Sequence, residues 1–89
     1  SMTIRVLLKA GCHMSYHSHE HRDEVWTIIS GNGKVVINGK EKKVQSGDVV
    51  SIERGARHTI SADTDLTLIE VQIGNEISAQ DKTKYSYQI

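Results

Sequence analysis

Residues 11–31 read GCHMSYHSHEHRDEVWTIISG, and how this stretch divides decides the fold. From Met14 to His19 polar and less polar side chains alternate with period two, the periodicity of a strand whose successive side chains point to opposite faces. On such a strand His17 and His19 project side by side, about 6 to 7 Å apart at the backbone, within reach of a single ion. A reversal over residues 20–23 then sets Glu24 at the start of the next antiparallel strand, EVWTIIS (24–30), so that one hairpin would carry two imidazoles and a carboxylate. An H-x-H pair in a charged segment also suits a solvated loop, and spacing alone leaves both readings open.

Working outward, Gly31-Asn32-Gly33 tolerate positive φ and predict a tight hairpin joining 24–30 to KVVIN (34–38). Asn38-Gly39, the type I′ pair, predicts a second hairpin into KEKKVQ (40–45), whose three lysines fit an exposed edge. Turns at Ser46-Gly47-Asp48 and Arg54-Gly55-Ala56 lead into VVSIE (49–53) and RHTIS (57–61). In LTLIEVQIG (66–74), Leu66, Leu68, Glu70 and Gln72 alternate with Thr67, Ile69, Val71 and Ile73, a long strand with at least one buried face. TIRVLLK (3–9) opens the chain as a strand, and SAQD (78–81) reads as a capped helical turn. About eight short strands joined by Gly and Asn turns predict an all-β sandwich or barrel. Trp26, Ile28, Val50 and Val71 are read as apolar pocket lining or plain core alike, and Cys12 as a buried small apolar residue or a bystander near the site.

Bulk properties narrow the function classes. The 89 residues suit a single domain over 2–89, with Ser1 read as a residue left by expression cloning. Eleven basic and eleven acidic residues cancel, so net charge recruits neither nucleic acid nor a membrane surface. A lone cysteine forms no internal disulfide, and no apolar run has the length of a signal or spanning segment, which makes the cytoplasm the expected compartment. His58, on a later strand, supplies a fourth candidate ligand beside His17, His19 and Glu24. Three imidazoles and a carboxylate suit a first-row divalent ion with positions left open for water or substrate.

The same residues resemble the two motifs of the cupin family. The first is met at every defining position: Gly11, five residues, His17, one, His19, four, Glu24, six, Gly31. The second runs Gly47, five residues, Glu53 in place of the family's Pro, Gly55, two, His58, three, and Ala62 in place of its usual Asn. The resemblance implies a double-stranded β-helix, a small jelly-roll-like barrel, with His17, His19, Glu24 and His58 on one divalent ion: zinc first, with iron, manganese, nickel or cobalt as alternatives. Among cupins, His19, His21, Arg22, Glu24 and Trp26 together with LIEVQIGNEISAQD (68–81) are similar to the C-terminal isomerase domain of type II phosphomannose isomerases. That implies an aldose–ketose isomerase of sugar phosphates, with His21 a candidate base and Arg22, Arg54, Arg57 and Lys9 candidate phosphate contacts. Thr59 stands where that family usually has Arg, and KYSYQI (84–89) where it has an Asp-x-Tyr-Gly-Arg tail, which keeps a non-catalytic sugar- or ligand-binding cupin as an alternative. An iron-dependent dioxygenase is the other alternative. Exposed sheet edges predict a homodimer.

Overall fold

A computed structural model describes residues 1–87, so Gln88 and Ile89, the end of the expected domain, lie outside the described residues. Among the described residues nine strands form: β1 (Met2–Leu8), β2 (Tyr16–Ser18), β3 (Asp23–Ser30), β4 (Asn32–Ile37), β5 (Lys40–Gln45), β6 (Val49–Ile52), β7 (His58–Ala62), β8 (Leu66–Ile73) and β9 (Thr83–Tyr85). They make two facing antiparallel sheets, ordered β1-β8-β3-β6 and β5-β4-β7-β2-β9. Among the described residues there is no helix, and hence none long and apolar enough to cross a membrane.

Period-two patterning sets which side chains meet between the sheets. On β3 the buried residues are Glu24, Trp26 and Ile28, and on β8 they are Leu66, Leu68, Glu70 and Gln72. Trp26, Ile60 and Leu68 are fully buried, each burial worth about 2 kcal/mol of hydrophobic transfer. Along β8 the inward positions change from leucine to Glu70 and Gln72, so one end of the barrel is apolar core and the other is polar. Val71 has the opposite parity; it lies between Thr3 and Val25 on the outer face, half-buried, and is not core.

The Asn38-Gly39 hairpin forms as expected, with positive φ at both residues and β4 paired to β5. The other two expected hairpins do not form. β3 pairs with β6 and β8 while β4 pairs with β5 and β7, so Gly31 is a corner at which the chain leaves one sheet for the other. Gly31 has φ +83°, and a Cβ there would collide with the Asp65 carbonyl oxygen. Asn32 pins the corner by donating its N–H to Thr64 Oγ1 at 3.0 Å and accepting from the Asp63 N–H at 3.0 Å. Likewise β2 and β3 lie in different sheets, so His17 and His19 face Glu24 across the barrel instead of beside it in one hairpin. Residues 78–81 make only a turn, closed by the Asp81 N–H on the Ser78 carbonyl at 3.2 Å. Cys12 is exposed, not buried, in a turn held by its N–H on the Lys9 carbonyl. Residues 83–85 add β9, a strand that the sequence did not announce.

Gly31 and Gly39 separate two costs. Gly39 also has positive φ, but a Cβ there meets nothing within 4 Å. Gly39→Ala should therefore cost about 1 kcal/mol of unfolding free energy, the left-handed penalty alone. Gly31→Ala adds a backbone collision and should cost at least about 2 kcal/mol more. Urea denaturation of both variants checks this; equal losses would contradict the corner's geometry.

Candidate metal centre

Three imidazoles converge at the polar end of the barrel. His17 on β2 and His58 on β7 are cross-strand partners, and their ring centroids lie 4.4 Å apart. His19 follows β2 with the same parity as His17, and its ring lies 4.8 Å from His17 and 5.4 Å from His58. One ring nitrogen from each lies within 4.8 Å of the other two. All three side chains are buried, at 5%, 4% and 1% exposure, far below what a solvated loop would give.

Backbone carbonyls fix the tautomers. His17 Nδ1 faces the Ser15 carbonyl at 2.6 Å, His19 Nδ1 the Asp81 carbonyl at 2.6 Å and His58 Nδ1 the Ala56 carbonyl at 2.9 Å. A carbonyl only accepts, so each Nδ1 carries the proton and each Nε2 keeps a lone pair. His58 Nε2 is the only buried side-chain nitrogen or oxygen without a hydrogen-bond partner among the described residues. An unsatisfied buried nitrogen costs about 1–3 kcal/mol. This donor set therefore fits a divalent ion: neutral imidazoles aimed inward, with an acceptor that no protein group satisfies.

Glu24 enters from the opposite sheet. Its Oε2 lies 3.2 Å from His19 Nε2, and its Oε1 lies 3.8 Å from His58 Nε2. Trp26 Nε1 donates to Oε1 and Arg22 Nε to Oε2, both at 2.9 Å, which orients the carboxylate toward the rings. Arg22 is itself buried, and its Nη2 donates to His19 Nε2 at 3.0 Å. An ion that takes the His19 lone pair displaces that contact.

Beside the imidazoles opens a cavity of about 490 Å³, whose walls include His17, His19, Arg22, Glu70, Gln72 and Lys82. Of the four expected phosphate contacts, only Arg22 reaches it. Lys9 lies at the far end of β1, 3.9 Å from Asp65 and fully solvated. Arg54 pairs with Asp23 at 3.5 Å, and the Arg57 guanidinium stacks over the Tyr85 ring at 3.9 Å. His21, the expected base, is exposed and outside the cavity, with its backbone N–H on Asp81 Oδ2 at 2.9 Å. Glu70, Gln72 and Lys82 are wall residues that the sequence reading did not assign. Glu70 and Gln72 carry a legible signal, polar side chains at the inward parity of a strand otherwise filled by leucine; Lys82 carries none.

Burial first, with smaller contributions from the nearby His58, Lys82 and His19 and against the hydrogen bond to the Ser15 carbonyl, lowers the His17 imidazole from 6.5 to about 4. Burial likewise lowers His58. A group whose folded pKa is depressed this way takes its proton in the unfolded chain first, so its contribution is full above pH 6.5 and is lost as pH falls toward 4. Metal-free protein should therefore lose stability across that window relative to a His17→Gln variant. Urea midpoints of both proteins between pH 7 and about 4 check it; parallel pH profiles would contradict the burial of His17.

Residues 4–72 match the family model described as a cupin domain. Among curated proteins, the chain is 31% identical over 83 residues to the mannose-1-phosphate guanylyltransferase ManC of Salmonella typhimurium, covering 91% of this chain and 17% of that protein. It is 34% identical over 71 residues to an oxalate-binding protein of Thermotoga maritima, covering 78% of this chain and 59% of the relative. Among solved structures, a predicted oxalate decarboxylase from Thermotoga maritima superposes with a TM-score of 0.79 at 32% identity, covering 83% of this chain and 66% of the other. The chain thus spans less than a fifth of the length of the guanylyltransferase that it matches. Fold, motif spacing and family model agree: the chain belongs to the cupin family.

Proposed function

We propose that this cupin binds one divalent ion on His17, His19, His58 and Glu24 and acts as an aldose–ketose isomerase of sugar phosphates. The observation that carries the reading is the unpartnered, buried His58 Nε2, aimed at the other two imidazoles. When bound, the ion supplies Lewis-acid polarisation of a substrate oxygen. The chain's own groups do the rest. The neutral imidazoles and the Arg22-braced Glu24 fix the binding position. Lys82 on the cavity wall is the cation open to a phosphate, since Arg22 is engaged with Glu24 and His19. Ile4, Met14 and Ile77 give the cavity an apolar part of its wall. A volume of about 490 Å³ lies within the range of small-molecule sites, roughly 300–1,000 Å³. Zinc suits this nitrogen-rich set, and iron, manganese, nickel and cobalt suit it as well.

Protein purified without added metal should carry about one divalent ion per chain, and His58→Ala should weaken metal binding at least ~10-fold. The loaded protein should convert mannose 6-phosphate to the ketose. Absence of turnover with zinc, iron, manganese, nickel and cobalt would overturn the isomerase reading. Tight binding of a small anion without turnover would replace it with a ligand-binding role, which similarity to the oxalate-binding relative supports. Oxygen uptake by the iron-loaded protein would replace it with a dioxygenase.

A reducing compartment, the cytoplasm, suits the exposed free Cys12. For assembly, the outer face of the four-stranded sheet supports a homodimer better than its edges do. Leu7 and Val49 are 68% and 59% exposed there, beside half-buried Ile69 and Val71. This face mixes aliphatic and threonine side chains, with Arg5 opposite Ile69, and it suits a second copy of itself. Light scattering at about 50 μM, a concentration at which a weak dimer still populates, should give a dimer, and Val49→Lys should give a monomer. A monomeric wild-type protein would contradict this.

A further inference from the structure

An isomerase must carry a proton between adjacent carbons, and His21, one of the candidate bases, lies outside the cavity. The carboxylate that lines the cavity is on β8. Glu70 is 7% exposed and sits in register between Ile4 of β1 and Trp26 of β3. Its Oε2 accepts from Gln72 Nε2 at 2.6 Å, and among the described residues it makes no salt bridge. Glu24, the other buried carboxylate of this end, is braced by Arg22 and Trp26. The two acids therefore stand in contrasting surroundings, one charge-paired and directed at the imidazoles, the other flanked by apolar side chains and open to the cavity.

We propose that Glu70 is the catalytic acid–base group of this cavity, with Gln72 holding its carboxylate toward the substrate. The proposal rests on the isomerase reading. Glu70 accepts the proton from C2 of the open-chain aldose phosphate. The electron pair of the broken C–H bond forms the C1–C2 double bond, while the carbonyl π pair moves to O1, which takes the hydroxyl proton released from O2. The protonated Glu70 then delivers its proton to C1 as the double bond's electrons form that C–H bond and O2 becomes the ketone oxygen. No oxidant or further reactant is needed. Burial raises the Glu70 carboxyl above the ordinary glutamate range; the Gln72 hydrogen bond opposes this, and Glu24 adds to it. Arg22 and His19 face it with the opposing sign, and His17 and Lys82 share its cavity. A base brought nearer to neutrality is the better proton carrier.

The test uses full-length, metal-loaded protein with mannose 6-phosphate in deuterated water. Wild-type product should carry solvent deuterium at C1. E70Q, which keeps the size and the Gln72 contact, should lower kcat at least ~100-fold while KM and metal content stay within about twofold. E70D should fall between the two. Turnover by E70Q within about threefold of wild type overturns the proposal, and so does loss of bound metal or of the fold in both variants. A second readout does not need turnover: ¹³C NMR titration of the glutamate carboxyl carbons, assigned with E70Q. A raised midpoint for Glu70 supports the role, and an ordinary one overturns it. If the wild-type protein turns over no sugar phosphate with zinc, iron, manganese, nickel or cobalt, the isomerase reading fails and the catalytic role of Glu70 falls with it, whereas turnover by the wild type with an active E70Q overturns Glu70 alone.

Discussion

Three hydrogen bonds from imidazole Nδ1 to backbone carbonyls hold this site together. Each fixes a tautomer and a ring orientation at once, and together they turn three lone pairs into a common, buried space. The carbonyls belong to Ser15, Ala56 and Asp81, residues of three separate loop segments, so the site depends on loop geometry as much as on the strands that bear the histidines. Because each ring already gives its proton away, the inward nitrogens have only acceptor character. Arg22 satisfies one of them; the nitrogen of His58 is left to whatever binds.

The barrel is divided along its strands. β8 shows the division most simply, with Leu66 and Leu68 in the sealed half and Glu70 and Gln72 in the half that opens to the cavity, all on one face. Trp26 sits at the boundary. Its ring lies edge-on to His58 at 5.5 Å, and its indole nitrogen donates to Glu24 at 2.9 Å, so it closes the apolar core and orients the acid of the site. Stability and chemistry meet at that side chain, and a change there disturbs both.

What was legible in the sequence was what depends on local spacing. Period two put His17 and His19 on one face, and cupin spacing joined Glu24 and His58 to them. Asn38-Gly39 specified its hairpin because both residues accept positive φ. Sheet membership was not legible, since a short Gly-containing connection serves a hairpin and a sheet-to-sheet corner equally. The Asp65 carbonyl that makes Gly31 a corner is 34 positions away in the sequence. The cations misled for a related reason: composition names Arg54, Arg57 and Lys9, but only the fold shows that their partners are Asp23, Tyr85 and Asp65. Glu70 shared a parity with Leu66 and Leu68, but Val71, of the opposite parity, was read as pocket lining or core; that Glu70 points inward between Ile4 and Trp26 comes from strand pairing and burial alone.

The hydrogen bond from His19 to the Asp81 carbonyl joins residues 62 positions apart, and the Asp81 carboxylate also accepts the N–H groups of Glu20 and His21 at 2.9 Å. During synthesis, therefore, His17 and His19 emerge before Asp81, and the ring of His19 gains this orienting contact only once residue 81 has followed. Long loops close late, because their entropy is spent before contacts compensate it. The nascent chain thus exposes an H-x-H pair before the three imidazoles are arranged, and their convergence is a property of the finished barrel. The clasp makes the orientation of His19 contingent on the segment around Asp81, which leads directly into β9.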